Sequence, residues 1–245
     1  MPKMFSATLR ALWLAPLCTL IASPSAHAET VDEPVILFNT LPIKAAAFEG
    51  FLPVMQANAA ASRKEAGNQS FDVFQPENGA TNLYLLEHWH NQAALDLHMA
   101  QPSLKAVESR VGSDLAGEPS SLRLSAVPGL GADARKAFPA GGAAGSRNVI
   151  VVLSVKPDQE KAFVDALADV TPHARQAPGN HAFELYKVNG QDHTYVLFER
   201  WASAAQHEAH LGQDYSRRLD AVLPATLAAP VSEANRHLVK DVAAG

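Results

Sequence analysis

Two groups of residues in this chain carry side chains suited to acid–base chemistry, and both groups have the same spacing. Each consists of a Glu, a Trp two residues later and a His nine residues after the Trp: Glu87, Trp89 and His98 in the first group, and Glu199, Trp201 and His210 in the second. A carboxylate or an imidazole can exchange a proton near neutral pH when its surroundings tune its pKa. A structural role is the alternative, with Trp filling a core and Glu bonding to backbone groups.

The two groups belong to an internal repeat. A shift of 112 residues aligns Gly67-Asn68 with Gly179-Asn180, Phe71 with Phe183, and the two groups with each other, without a gap. Self-similarity at this period indicates duplicated domains, because solenoid repeats are shorter. The repeat therefore predicts module 1 over 29–128 and module 2 over 147–245, joined by a Gly- and Pro-rich linker over 129–146.

Each module is predicted to have the element order βαββαβ. The first helix spans about 44–66 in module 1, with a possible kink at Pro53, and begins near Pro157 in module 2. Asn91 and Ser203 are favourable N-cap residues for the second helix. The predicted strands are Val35–Leu41, Phe71–Gln75, Leu83–His90 and Leu122–Val127 in module 1, and Val149–Val155, Ala182–Val188, Tyr195–Trp201 and Asn235–Lys240 in module 2.

This order is the ferredoxin-like arrangement, an α+β fold. Helices cover one face of each four-stranded sheet, so the other face stays apolar and unburied until a second sheet covers it. We expect the two modules to close sheet against sheet as an intramolecular dimeric α+β barrel. Alternation along the third strands places Glu87 and Trp89 on one face, as it does Glu199 and Trp201. Tyr186 and Tyr195 replace Phe74 and Leu83, which favours module 2 as the site that binds a substrate.

The N-terminal segment is typical of a cleavable signal peptide. Lys3 and Arg10 precede an apolar stretch, and Ala26-His27-Ala28 forms a small-x-small cleavage site, so the mature chain is predicted to begin at Glu29 in the periplasm or outside the cell. The stretch is too short to predict a stable membrane anchor. Cys18, the only cysteine, lies within this segment, which excludes disulfides and thiol catalysis from the mature part.

Charge and motifs exclude several partners and cofactors. Removing the segment leaves 18 basic residues (20 minus Lys3 and Arg10) against 25 acidic ones, so no nucleic-acid partner is predicted. No nucleotide or flavin fingerprint is present. A metal site is not predicted either: His88 and His90 lack histidine counterparts in module 2, and His207 and His210 are one residue too close for a helical i, i+4 pair.

The residues around both groups resemble the antibiotic biosynthesis monooxygenase family, especially its small bacterial quinol monooxygenases. The resemblance is carried by Leu86-Glu87-His88-Trp89 with Ala93, His98, Pro102 and Lys105, and again by Phe198-Glu199-Arg200-Trp201 with Ala205, His210-Leu211 and Arg217. It covers most of 35–127 and 147–240. Members of this family usually have one module and form homodimers through their sheets, which implies that this chain carries both halves covalently.

The resemblance implies oxidation of a quinol or hydroxylated aromatic by dioxygen, without flavin, haem or metal. Trp89 and Trp201 would then form an aromatic wall for the substrate, His98 and His210 would act as bases, and Glu87 and Glu199 would orient them or act themselves. Leu85 and Leu197 stand where the antibiotic-tailoring branch has Asn, and Glu108 and Asp220 stand where haem-degrading relatives have a haem-ligating His. The alternative is a non-catalytic binding protein that holds a small hydrophobic ligand inside the barrel.

Overall fold

The computed structural model describes residues 33–132, 138–139 and 142–242. The predicted signal peptide and its cleavage site lie outside the described residues, as do parts of the linker. Both modules belong to one compact unit. None of the helices in the described ranges is long and apolar enough to cross a membrane.

The two modules have the same order of elements. Module 1 contains β1 (Val35–Pro42), α1 (Ala45–Ser62), β2 (Asn68–Pro76), β3 (Asn82–Trp89), α2 (Gln92–Met99), α3 (Pro102–Asp114) and β4 (Ser120–Ala126). Module 2 contains β5 (Arg147–Ser154), α4 (Glu160–Gln176), β6 (Asn180–Val188), β7 (Thr194–Trp201), α5 (Ala204–Leu211), α6 (Asp214–Thr226) and β8 (Arg236–Asp241), with a 3₁₀ turn over Pro157–Gln159 before α4.

Local chemistry explains where these elements begin. The side chains of Asn91 and Ser203 accept hydrogen bonds from the backbone N–H groups of Ala94 and Gln206, which confirms both predicted N-caps. The single second helix predicted for each module is two helices, because the chain turns before Pro102 and Asp214 start a new one. Helix α1 continues through Pro53 without a break.

The eight strands form one closed antiparallel barrel in the order β1-β3-β2-β8-β5-β7-β6-β4. The fourth strand of each module pairs with the second strand of the other, β4 with β6 and β8 with β2. Closure leaves no unpaired sheet edge. The same register irregularity follows Asn68 in β2 and Asn180 in β6. The intramolecular barrel predicted from the repeat is confirmed.

The sheet separates three buried clusters. Inside the barrel, apolar side chains of both modules pack together, among them Phe38, Phe74, Tyr84, Tyr186 and Phe198. On the outer face, each module packs its own helices against its own strands. The barrel interior of the described residues is thus lined by apolar side chains from both modules.

Two polar contacts across the barrel join the modules at related positions. Arg200 of β7 donates to Asp72 of β2 at 3.1 Å and to Asp241 at 3.0 Å, and its guanidinium lies 4.4 Å from the ring centroid of Phe138. At the position related by the repeat, His88 lies 3.1 Å from the hydroxyl of Tyr186. These buried contacts fix the angle between the modules and hence the position of each outer layer.

Candidate active site in the outer layer of module 2

Glu199 stands near the end of β7 and faces the helices rather than the barrel interior. The indole N–H of Trp201 donates to Glu199 Oε2 at 2.9 Å. Glu199 and Trp201 are two positions apart on the strand, so their side chains lie on the same face and can form this hydrogen bond. In module 1, Trp89 donates to Glu87 Oε2 at 3.0 Å in the same way. The predicted placement of Glu and Trp on one face of the third strand is therefore confirmed in both modules.

Helix α5 brings two imidazoles toward this carboxylate. His210 Nε2 lies 3.9 Å and His207 Nε2 lies 4.0 Å from Glu199 Oε2. The other ring nitrogen of His210 is 3.0 Å from the hydroxyl of Tyr215. The His210 ring packs on the Trp201 ring with centroids 4.5 Å apart. Trp201 thus holds both Glu199 and His210 in place.

Burial tunes the protonation of these groups in opposite directions. Loss of solvation raises the pKa of Glu199 to about 7, against smaller lowering effects of the Trp201 hydrogen bond and the Arg236 charge. Loss of solvation lowers the pKa of His207 and of His210 to about 4. At neutral pH both imidazoles are uncharged, whereas the carboxyl group is partly ionised. Glu199 is therefore the group whose pKa matches proton transfer near pH 7.

A cavity of about 240 Å³, the inner cavity, lies between the sheet and the helices of module 2. Glu199, His207, His210 and Arg236 line it together with apolar side chains, including Val151, Phe183, Leu197 and Leu219. Asp220, Leu223 and Val231 also border an outer cavity of about 540 Å³, formed with the connection that follows α6. The inner cavity thus combines a tuned carboxyl group with apolar walls and an outer vestibule.

The corresponding layer of module 1 is built differently. Asn39 Nδ2 donates to Glu87 Oε1 at 2.7 Å, so both carboxylate oxygens of Glu87 accept hydrogen bonds. His98 Nδ1 lies 3.0 Å from Glu65 Oε1. Where module 2 has His207 and Ser216, module 1 has Leu95 and Leu104, which pack in its apolar cluster. Glu87 also has a pKa raised to about 7, chiefly by burial.

Several predicted binding residues do not line the inner cavity. Trp201 is fully buried behind Glu199, and Trp89 is equally buried behind Glu87, so neither forms an exposed aromatic wall. Tyr186 faces the barrel interior. Side chains alternate between the two faces of a strand, and Phe183 and Leu185, at odd separations from Tyr186, face the helices. Tyr195 does face the helices, but its hydroxyl donates to Glu160 at the start of α4.

Three cavity residues were not identified as site residues from the sequence. The sequence singles out His207 only in the rejected metal motif, and it gives Ser216 no role. Arg236 lies opposite Val151 in the β5–β8 pairing, whereas Ser121 lies opposite Asn39 in module 1. Arg236 and Ser121 are thus equivalent but 115 residues apart, so the 112-residue shift that aligns the earlier parts of the repeat does not align the fourth strands. This change of spacing in the fourth strand is the sequence feature that could have identified Arg236.

The described residues contain no group of three or more His, Cys, Asp or Glu side chains arranged to hold a metal ion. Glu199, His207 and His210 are of residue types that can bind a metal and lie close together. The imidazole nitrogens of His210 and His207 are 3.9 and 4.0 Å from Glu199 Oε2, and all three side chains line the inner cavity.

Both modules and their shared barrel define a dimeric α+β barrel protein with the two halves in one chain. Solved structures agree with that architecture: a protein of Fusobacterium nucleatum described as a putative monooxygenase matches with a TM-score of 0.74 and 14% identity, over 85% of this chain and 92% of its own. A Lactobacillus acidophilus protein, also described as a putative monooxygenase, matches with a TM-score of 0.65 and 12% identity, over 84% of this chain and 91% of its own. At these identities the likeness concerns the fold.

The chain belongs to the antibiotic biosynthesis monooxygenase family. The family model matches twice, over residues 34–110 and 147–221. Among curated proteins, an uncharacterized protein of Synechocystis is 29% identical over 107 residues, which cover 43% of this chain and 72% of that protein. The Bacillus subtilis protein named "Putative monooxygenase YcnE" is 28% identical over 58 residues, or 24% of this chain and 61% of YcnE.

Proposed function

We propose that module 2 oxidises a quinol or other hydroxylated aromatic with dioxygen, without flavin, haem or metal. The observation that carries this proposal is the position of Glu199, a buried carboxyl group with a pKa of about 7 that faces an apolar cavity. Such a group can remove a proton from an aromatic hydroxyl near neutral pH. The resulting anion is rich in electrons and can reduce dioxygen itself.

The surrounding residues have supporting roles in this proposal. The Trp201 indole bonds one carboxylate oxygen and leaves the other carboxylate oxygen to the substrate. His210 and His207 are uncharged, so they contribute hydrogen-bonding groups to the pocket without adding positive charge. The apolar walls limit access of water, which strengthens the interaction between the carboxylate and the hydroxyl proton.

The proposed reaction balances without a further reductant. A quinol and dioxygen give a hydroxyquinone and water: one oxygen atom forms a bond to a ring carbon, and the other is reduced to water by electrons from the substrate. The ring hydrogens and hydroxyl hydrogens that are lost leave in that water. A protein of similar fold, 17% identical with a TM-score of 0.57, is named an anthrone oxidase-like protein.

The function is tested by oxygen uptake with a panel of quinols, using mature protein treated with a chelator. We expect uptake that requires both quinol and dioxygen, with one atom of ¹⁸O₂ in the product. Quinol oxidation with no label in the product would contradict monooxygenation, and absence of uptake across the panel would favour a binding protein.

Export is also proposed, from the N-terminal sequence alone. The intact mass of the protein recovered from a cell that expresses the full chain tests it: a mass beginning at Glu29 supports export, and one beginning at Met1 contradicts it.

A further inference from the structure

Arg236 places an unpaired positive charge in the wall of the inner cavity. It is the first residue of β8 and lies opposite Val151, so its side chain faces the helices along with that residue. Its backbone N–H donates to Ser232, but its guanidinium forms no hydrogen bond or ion pair with the described residues. A guanidinium that borders a largely apolar cavity without a partner is suited to bind an anionic group.

The positions of Arg236 and Glu199 define two polar points on one cavity. The charge of Arg236 lowers the pKa of both Glu199 and His207, so it lies within electrostatic range of them. Arg236 and Glu199 nevertheless form no ion pair. Apolar side chains such as Leu197 and Phe183 line the same cavity.

We infer that the inner cavity binds a hydroxylated aromatic acid, with the hydroxyl at Glu199, the carboxylate at Arg236 and the ring against the apolar walls. This inference rests on the proposed function for the role of the hydroxyl, but the recognition of the carboxylate does not depend on catalysis. The acid would complete the ion pair that Arg236 lacks. Module 1 has Ser121 at the related position, so only module 2 has this charge.

The other charges near the cavity are consistent with an anionic ligand. Asp220 is exposed and lines both the inner and the outer cavity, and Lys156 lines the outer cavity. Water screens an exposed carboxylate more than a partly buried guanidinium. At Glu199 the charge of Arg236 has a larger effect on the pKa than the opposing charge of Asp220.

Binding measured under nitrogen tests the inference without any oxidation. The ligands are 2,5-dihydroxybenzoate and 2,5-dihydroxybenzamide, which differ in charge but hardly in shape, and the readout is calorimetry. The acid is expected to bind about 10–100-fold more tightly than the amide, the range for a hydrogen bond to a charged group. Arg236→Gln should bring that ratio near one, whereas Arg236→Lys should keep part of it.

Arg123→Gln is the matched control, because Arg123 lies exposed on β4 and its loss changes the net charge equally. It should leave the ratio unchanged. A wild-type protein that binds the acid no more tightly than the amide overturns the inference, whether or not the Arg236 variants fold. Quinol oxidation without this preference would leave the proposed function standing, and a preference without oxygen uptake would support the inference while contradicting the proposed function.

Discussion

The outer layers of the two modules share a framework and differ in what surrounds it. In both, a Trp bonds a buried Glu and stacks on a His, with ring centroids 4.5 Å apart at 31° in each module. In module 1 the Glu accepts a second hydrogen bond from Asn39, and the His contacts Glu65. In module 2 Val151 and Ala177 replace those two residues, and the layer contains the inner cavity.

This comparison separates structure from chemistry. Both modules contain the Glu, the Trp and the His. In module 1 both carboxylate oxygens are hydrogen-bonded inside the protein, whereas in module 2 the carboxylate lies at a cavity. The repetition of the three residues therefore reflects the shared fold and does not by itself indicate a shared reaction. The substitutions around them decide whether a ligand can reach the carboxylate. On this interpretation, module 2 carries the reaction and the outer layer of module 1 has a structural role.

The largest expected effect is on turnover. Glu199→Gln should lower the rate of oxygen uptake about 10²–10⁴-fold, because it removes the proposed general base. Glu87→Gln should leave the rate within about twofold, since both oxygens of Glu87 already accept hydrogen bonds inside the protein. Steady-state rates of the two variants give the comparison. Equal losses in both would show that module 1 also takes part in the reaction.

The second prediction concerns stability and its dependence on pH. The pKa of Glu87 is about 7 in the folded protein against 4.5 normally, so folding favours the protonated form. This contribution is fully present below about pH 4.5 and is lost as pH rises through about 7. At about 1.4 kcal/mol per pKa unit, the buried charge costs up to ~3 kcal/mol at pH 8.

Glu87→Gln should therefore raise the free energy of unfolding by up to ~3 kcal/mol at pH 8 but by less than ~1 kcal/mol at pH 5, where only the first part of the loss has occurred. Urea unfolding at the two pH values measures this difference. The wild-type protein should itself become less stable from pH 5 to pH 8 on account of this group. A gain of the same size at both pH values would indicate that charge burial is not its cause.

Much of the framework could be predicted from the sequence, and its surroundings could not. The repeat, the strand periodicity and the cap residues Asn91 and Ser203 are local signals, and they located the strands and the barrel. Whether Tyr186 shares a cavity with Glu199 depends on which sheet face is buried by helices. The order of side-chain packing behind Trp201, and the approach of Arg236 from the fourth strand, depend on tertiary contacts that no local pattern encodes.

The third prediction concerns the volume of the inner cavity, which a larger side chain taken from module 1 should reduce. Ser216→Leu introduces the residue that module 1 has at Leu104, and it should lower kcat/KM about tenfold by occupying the inner cavity. The matched control is Ser216→Ala, which removes the hydrogen bond from Ser216 Oγ to the His210 carbonyl without adding bulk. Steady-state kinetics of both variants separate the two causes. If the alanine variant loses as much as the leucine variant, the hydrogen bond rather than the cavity volume matters.

The smallest expected effect is a shift in the dependence of kcat/KM on pH. It should follow when module 2 is given the hydrogen bond that Asn39 donates to Glu87 in module 1. Val151 occupies the related position on β5, so the amide of Val151→Asn should donate to the second oxygen of Glu199. A hydrogen bond to the ionised form lowers the pKa of a carboxyl group.

The base form of Glu199 would then persist to lower pH, and the midpoint of kcat/KM against pH should move below about 7 by up to roughly one unit. Val151→Leu, similar in size to the asparagine variant but without a donor, should leave the midpoint in place. The hydrogen bond also competes with the substrate, so the plateau at high pH should fall while the midpoint moves down. A midpoint that stays with Val151→Asn, in a protein with the wild-type fold by circular dichroism, would mean that the titrating group of the reaction is not Glu199.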